Sequence, residues 1–273
     1  MTDLDNKAEN KEPRLYHYTN LETLALILKN RTIRFTPLDK LDDPQEKETS
    51  DVPNIGRFFY ASCWTASKTE SIPMWNMYAS LDKGVRLSLP LLPFLTRGDY
   101  LRFDSAPVPL FVTEDIAGQF DVKVPIPGEA IPTAGLLSCN KVEYTNKSEL
   151  LYPRLLDRNR GKYYLDKTIF GKYKNLHWQF QKEYRYLVDA TYWMTIKTDR
   201  PDLEIAERRE QMLAGVPLEM PSYIDISLAP DAFDQIEVTF SPKMSVGNRL
   251  LALALLEKYP EIIVTNSQLS GLL

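Results

Sequence analysis

The chain of 273 residues has few of the side chains that common metal and disulfide sites require. Its only two cysteines, Cys63 and Cys139, lie far apart, which argues against both a disulfide framework and a cysteine-rich metal site. The two histidines have no cysteine or carboxylate at ligand spacing, so they fall short of the usual three or four ligands. We therefore expect no metal, and low cysteine usage favours a cytoplasmic location.

Motifs for membranes and phosphates are also missing. No apolar run approaches the roughly 20 residues of a membrane-spanning helix, so we expect no membrane partner. The sequence has neither a P-loop nor a Gly-x-Gly-x-x-Gly turn. With 33 basic and 37 acidic residues the net charge is -4. This argues against general electrostatic binding of nucleic acid, but it does not exclude a local basic patch.

The remaining composition, 44% hydrophobic and 26% charged, is typical of a globular protein. Strand and helix patterns alternate irregularly, without internal repeats, which predicts the α+β class. The polar residues 1–13 are predicted to be a flexible tail, followed by a single α+β domain over 14–273. Prolines and glycines recur through 90–135, and this segment is interpreted as an insertion or lid.

Hydrophobic periodicity predicts the positions of the elements. Strand patterns cover 15–19, 32–36, 58–65, 85–89, 141–145, 181–188, 223–228, 236–240 and 262–266. Helical patterns cover 21–28, 71–84, 148–159, 162–178, 205–215 and 246–259. The last of these helices is largely apolar, so we expect it to be mostly buried.

Gln181-x-Glu183 is the first candidate for chemistry. On a strand, Gln181, Glu183 and Arg185 would point to one face, and Tyr184 and Tyr186 to the other. Such a polar face either lines a cleft or is solvated, with Glu183 and Arg185 forming a structural ion pair. The aromatic neighbours favour the cleft.

The other candidates are single residues with a simpler structural interpretation. His17 lies on an apolar strand, where a histidine is more often a core residue than a ligand. Cys63 lies among aromatics without a nucleophile motif, which favours an inert buried thiol. Trp64, Trp75 and Tyr78 favour a core position, although an aromatic wall could also stack on a flat ring.

Seven motifs occur in a definite order along nearly the whole chain from Leu15 onward. They are His17-Tyr18-Thr19, Asp42-Asp43-Pro44-x-Glu46, Ser62-Cys63-Trp64-Thr65, Met74-Trp75-x-x-Tyr78, Gly84, the strand from Val142 to Tyr144, and Trp178 followed by Glu183-x-Arg185. As a set they resemble a widespread bacterial and phage domain family of unknown function. That family in turn resembles the ADP-ribosyltransferase-like superfamily.

The resemblance implies an ADP-ribosyltransferase-like fold with split small sheets, and NAD as the substrate. It implies that His17 binds the adenosine ribose, that Glu183 within Gln181-x-Glu183 binds the nicotinamide ribose, and that an ADP-ribose group is transferred to a macromolecule, protein or nucleic acid. The remaining cofactor-binding residues that it implies are Tyr18, Ser62, Thr65, Trp75, Tyr78 and Arg185.

The expected chemistry fits these residue types. Loss of nicotinamide creates an oxocarbenium-like cation, which an ionised Glu183 would stabilise. The resemblance places such an enzyme in phage defence or a toxin system. Two alternatives stay open: a non-catalytic binding or sensor module of the same fold, and an RNA phosphotransferase-like enzyme.

Overall fold

The structure of the chain is a computed structural model that describes residues 13–94, 110–111, 136–157, 159–160, 164–191 and 201–273. The predicted tail at 1–13, apart from Pro13, lies outside the described residues. So does most of the predicted insertion at 90–135.

Strands form the framework of the described chain. They are β1 (Arg14–Asn20), β2 (Thr32–Pro37), β3 (Phe59–Thr65), β4 (Gly84–Pro90), β5 (Leu110–Phe111), β6 (Leu136–Lys141), β7 (Glu143–Thr145), β8 (Tyr173–Asn175), β9 (Glu183–Asp189), β10 (Ile224–Ser227), β11 (Glu237–Phe240) and β12 (Ile263–Asn266).

Helices are fewer and mostly short. They are α1 (Leu21–Asn30), α2 (Ile72–Met74), α3 (Ser148–Leu151), α4 (Pro201–Leu213), α5 (Pro230–Asp234) and α6 (Val246–Leu256). Single 3-10 turns occur at Leu38–Lys40, Pro44–Lys47, Ile55–Phe58 and Leu176–Gln181, and a π-helical turn at Trp75–Ala79. The predicted α+β class is confirmed. No helix in the described ranges is long and apolar enough to cross a membrane.

The chain forms two compact units, each assembled from separate stretches of sequence. Of the described residues, those of 13–21, 66–93 and 230–273 belong to the first unit, and those within 22–65 and 94–229 belong to the second. The single domain expected from the sequence stays a prediction.

The first unit is built on four strands in the order β12-β11-β4-β1. β4 pairs antiparallel with both β1 and β11, and β12 joins parallel to β11. All seven residues of β4 are buried, as expected for a strand with a neighbour on each side and both faces covered. This unit places Tyr18 of β1 and Trp75 in its apolar interior.

The second unit is built on an antiparallel sheet with the strand order β10-β2-β3-β9-β6-β5, and β7 and β8 form a separate parallel pair. Its apolar core contains Leu38, Val52, Ile55, Phe58, Phe59, Ala61, Leu155, Phe170, Leu187 and Met212. The Phe59 and Phe170 rings meet edge to face with centroids 4.8 Å apart. β9, which pairs with β3 at the centre of this sheet, carries Glu183 and Arg185 of the candidate site.

The predictions of two helices between 148 and 178 are wrong, the first in its length and the second in its type of structure. The first ends at Leu151 instead of 159, because Tyr152 precedes Pro153 and a residue before proline is pushed out of helical geometry. Most of the second is replaced by turns, by β8 and by the 3-10 turn Leu176–Gln181. Pairing of β8 with β7 overrides the local helical pattern.

The helix predicted over 71–84 begins as expected but stops early. The Ser71 hydroxyl caps it by accepting from Met74 N, and after α2 the chain widens into the π-helical turn that contains Trp75. Gly84 begins β4 in close contact with that turn: a Cβ at this position would lie 2.1 Å from Ser80 O. Only glycine fits there, which explains why the helical pattern ends before it.

The predicted helix at the end of the chain is present, but its predicted burial is wrong. α6 spans Val246–Leu256, with Ser245 as its N-cap, and only Ala252 and Leu256 are buried. An apolar sequence predicts burial only when another element covers each face of the helix.

Candidate functional site

The second unit buries four charged side chains in mutual contact: Glu46, Lys174, Glu183 and Arg185, hereafter the charge cluster. Each of these side chains is at most 3% exposed. Taking charges out of water is costly unless they are paired and hydrogen-bonded. The cluster pairs two carboxylates with two cations, although Glu46 Oε2 accepts no hydrogen bond in the described part of the chain.

Local structure explains how each member enters the cluster. Glu183 and Arg185 lie two residues apart on β9, so their side chains share one face. Glu46 lies in the 3-10 turn Pro44–Lys47, which Asp43 caps by accepting from Gln45 N at 3.0 Å. Lys174 is the buried middle residue of β8.

Arg185 is the centre of the hydrogen-bond network. Its Nη2 donates to Glu46 Oε1 at 2.6 Å and to Glu183 Oε1 at 2.7 Å, and its Nε donates to Glu183 Oε1 at 2.9 Å. Its Nη1 donates to Gly171 O at 3.2 Å. Such short charge-assisted bonds are the strong class of protein hydrogen bonds, and they hold the guanidinium in one orientation.

Lys174 completes the charge balance. Its Nζ lies 3.3 Å from both Glu183 Oε2 and Glu46 Oε1, and 4.7 Å from the centroid of the Trp178 ring. Both carboxylate oxygens of Glu183 therefore accept from a cation within the fold.

The two carboxylates of the cluster differ in their protonation equilibria. Burial opposes ionisation of Glu183, but the charges of Arg185 and Lys174 outweigh it and lower the pKa of that carboxyl. Burial of Glu46 outweighs the same two cations, because Glu183 adds a like charge, and the pKa of Glu46 is raised. Glu183 is thus the carboxylate that the cluster keeps ionised.

Cys63 borders the cluster as a protonated thiol. Burial raises the pKa of Cys63 well above its usual value, and the neighbouring Glu183 charge adds to the effect. A nucleophilic cysteine needs a lowered pKa. The interpretation of Cys63 as an inert thiol agrees with this environment.

Gln181 does not lie on the strand that carries Glu183 and Arg185, so its predicted strand position is wrong. It is buried at the end of a 3-10 turn, and Lys182 follows with φ of 46° and ψ of 49°. The left-handed residue breaks the period-2 alternation just before β9 begins at Glu183. The spacing of the two side chains along the sequence therefore says nothing about a common face.

Ser62 and Thr65 are buried on β3, where their hydroxyls make structural hydrogen bonds. Ser62 Oγ accepts from Trp64 Nε1 at 2.9 Å. Thr65 Oγ1 donates to Lys182 O at 3.1 Å, and Thr65 lies opposite Glu183 in the β3–β9 register. Thr65 is thus adjacent to the charge cluster.

Of the predicted aromatic residues, Tyr18, Trp75 and Tyr78 belong to the first unit, and Trp64 is buried in the second. The Tyr18 and Trp75 rings meet edge to face with centroids 4.9 Å apart, and both are buried. Tyr18 Oη accepts from Ser71 N at 3.0 Å. The expected core position of Trp75 is confirmed, and its ring has no solvent-exposed face. Tyr78 is partly exposed in the π-helical turn.

His17 is partly exposed on β1, opposite Leu87 of β4. The predicted placement of His17 and Glu183 in one site stays a prediction, because the two residues belong to different units.

Sequence reasoning missed a further buried carboxylate, Glu70 of the first unit. Its Oε2 accepts from Trp75 Nε1 at 2.9 Å and from the Ser267 hydroxyl, and its Oε1 accepts from Gln268 N at 2.8 Å. Arg86 Nη2 lies 3.9 Å from Oε1. No motif pointed to Glu70, and Lys174 was missed because it fell inside a predicted helix.

The second unit also has a pocket, which contains none of the predicted site residues. It is lined by Tyr164, Leu165, Lys167, Thr191, Arg209, Met212 and Leu213. Lys167 Nζ already donates to Asp189 and to Thr191 Oγ1 beside this pocket.

Comparison of the chain with known protein families, with curated proteins and with solved structures found no match. The family resemblance suggested by the motifs therefore stays a prediction.

Proposed function

We propose that the chain is an NAD-binding module of ADP-ribosyltransferase-like fold in which Glu183 has a structural role. The observation that carries this proposal is the saturation of Glu183. Arg185 and Lys174 occupy both of its carboxylate oxygens, and its side chain is 3% exposed. Of the functions that the motifs imply, a binding or sensor module fits this geometry best.

Convergence of the motif residues supports assigning them to one functional assembly. Glu46 and Arg185 are separated by 139 positions, yet their side chains form a 2.6 Å hydrogen bond. Cys63 and Thr65, from a third motif, border the same cluster. We propose that these residues, which come from separate motifs and lie close together in the fold, support the NAD-binding fold.

The geometry argues against direct catalysis by Glu183. A transition-state glutamate must present an oxygen to the ribose, where positive charge develops. Here that oxygen would first have to leave Arg185 or Lys174. Breaking a buried ion pair costs about 3–5 kcal/mol, which would add directly to the reaction barrier.

A second candidate is an active transferase that moves ADP-ribose to a protein or nucleic acid in a phage-defence or toxin system. It is favoured by the lowered pKa of Glu183, since the reaction needs an ionised carboxylate. The RNA phosphotransferase alternative stays a prediction without a described feature in its favour.

Calorimetric titration with NAD and an assay for released nicotinamide separate these candidates. We expect the purified chain to bind NAD and to release no nicotinamide. Glu143→Gln serves as a control, because Glu143 is a half-exposed acid paired with Lys172 on the surface of the same unit.

Two results would overturn the proposal. Nicotinamide release by the wild type that is lost in Glu183→Gln and kept in Glu143→Gln would establish the transferase. Absence of NAD binding by the folded wild type would remove NAD as the ligand, whatever the variants do.

A further inference from the structure

The pocket of the second unit shares no described lining residue with the charge cluster. Its cavity volume is about 80 Å³, several times the roughly 10–15 Å³ that one water molecule requires. Tyr164 in the lining is 39% exposed, so the pocket is accessible from solvent. It therefore has room for a small molecule.

One part of the lining is apolar and firmly anchored. Arg209, Met212 and Leu213 of α4 follow the i, i+3, i+4 spacing that brings side chains to one helix face. Met212 is buried in the apolar core of this unit, and Leu165 and Leu213 pack against that core. These three apolar side chains form a preformed surface for the hydrocarbon part of a ligand.

The polar part of the lining is fixed by Asp189. Lys167 Nζ donates to the Asp189 carboxylate and, at 2.8 Å, to Thr191 Oγ1. Thr191 donates to Asp189 Oδ1 from its backbone N at 2.9 Å and from its hydroxyl at 2.7 Å. These hydrogen bonds hold Lys167 and Thr191 in place, and Asp189 offsets the charge of Lys167.

Arg209 gives the lining an excess of positive charge. Among the described residues that line the pocket, Lys167 and Arg209 are cations and none is a carboxylate. Asp189 offsets only one of these two charges. A guanidinium presents its N–H donors in a planar fork that matches the geometry of a carboxylate. Charge complementarity therefore favours an anion in this pocket.

We propose that the pocket binds a short-chain carboxylate. Its charged group would lie at Arg209, and its hydrocarbon chain would cover Leu165, Met212 and Leu213. An inorganic anion would leave this apolar surface uncovered, and the small volume excludes a long chain. The inference is independent of the proposed NAD binding, because the pocket contains none of the residues assigned to NAD.

Saturation-transfer NMR on the full chain, with butyrate as the probe, tests the proposal. We expect the wild type to bind butyrate with a Kd of about 1–10 mM, as is reasonable for so small a ligand. Butyramide has nearly the same shape without the charge and should bind at least ~10-fold more weakly. Acetate should bind about 10-fold more weakly than butyrate, because it buries less hydrocarbon.

Two neighbouring arginines of α4 provide a matched pair of variants. Arg209→Gln should weaken butyrate binding at least ~10-fold, because the carboxylate loses its charged donor. Arg208→Gln is the control, since Arg208 is not among the lining residues, and it should leave binding unchanged. Circular dichroism checks that both variants fold. If Arg209→Gln does not fold, the comparison of butyrate with butyramide decides.

Absence of butyrate binding by the folded wild type would overturn the proposal. Equal binding of butyrate and butyramide, or unchanged butyrate binding in folded Arg209→Gln, would do so as well. Tighter binding of acetate or inorganic phosphate than of butyrate would show that the apolar surface plays no part, and would overturn the proposed class of ligand.

Discussion

Each unit of the molecule buries glutamate side chains, and Glu70 of the first unit and Glu183 of the second are held by different chemistry. Glu70 in the first unit accepts mainly from neutral donors: an indole, a hydroxyl and a backbone N–H. Glu183 in the second unit accepts from a guanidinium and an ammonium. Both side chains are at most 3% exposed, so the contrast does not come from burial.

The two arrangements have different consequences for stability. Glu70 ties Ser267 and Gln268 to Trp75, and its remaining bonds survive the loss of any one donor. In the charge cluster, removing one member leaves one buried charge unbalanced among the remaining three. The first arrangement connects segments, whereas the second concentrates charge.

Replacing an arginine by methionine beside each glutamate should give the largest difference in the free energy of unfolding between the two units. We expect Arg185→Met to lower the free energy of unfolding by about 3–5 kcal/mol, because Glu46 and Glu183 lose their shared donor. Arg86→Met should cost only about 1–2 kcal/mol, since Glu70 keeps three donors. Urea denaturation of both variants measures this. Equal losses would show that the two carboxylates are held in the same way.

Acid titration should separate the two carboxylates within the charge cluster. The lowered pKa of Glu183 contributes stability above its unfolded value of 4.5, and this contribution is lost as the pH falls. The raised pKa of Glu46 has the opposite sign: its contribution is present below 4.5 and is lost as the pH rises through the folded value.

Glu183→Gln and Glu46→Gln should therefore diverge from the wild type as the pH increases. Relative to the wild type, Glu183→Gln becomes less stable and Glu46→Gln more stable as the pH rises from about 3 to about 7. Urea unfolding across this range measures the divergence. Parallel profiles for the two variants would contradict the assigned directions.

The smallest expected effects come from two tyrosine hydroxyls in equivalent roles. Tyr18 Oη accepts from Ser71 N in the first unit, and Tyr144 Oη accepts from Glu183 N at 2.8 Å in the second. Replacing either tyrosine by phenylalanine leaves one backbone N–H without its acceptor, and we expect this to lower the free energy of unfolding by about 1 kcal/mol. The exposed Tyr164→Phe should change stability much less.

Chemical denaturation of the three variants provides the comparison. Similar losses for Tyr18→Phe and Tyr144→Phe would confirm that each hydroxyl acts locally. A much larger loss for Tyr144→Phe would show that this hydroxyl also supports the charge cluster beyond its single hydrogen bond.

Local sequence patterns were sufficient where an element depends on its own residues. α1 follows the predicted helical spacing, with Leu24, Ile27 and Leu28 buried on one face, and β1 and β3 lie close to their predicted bounds. The local patterns failed at β8, where strand pairing outweighed the helical pattern. They also failed at Gln181, which is followed by Lys182 in a left-handed conformation. Neither event has a local signal in hydrophobicity.

Part of the candidate site could be predicted in the same way. Glu183 and Arg185 share one face because they are two residues apart on a strand. Glu46 was noticed only as part of a motif, without a partner. Lys174 received no role, since a lysine in a predicted helix is normally expected at the surface.

The sequence by itself determined the α+β class, the central strands and the chemical character of their faces, because side-chain periodicity follows directly from backbone geometry. Only the tertiary structure decided that Glu46 and Lys174 meet Glu183 and Arg185, and that α6 keeps an exposed apolar surface. Charge pairing and burial depend on which distant segments come into contact. Periodicity within one segment contains no information about that contact.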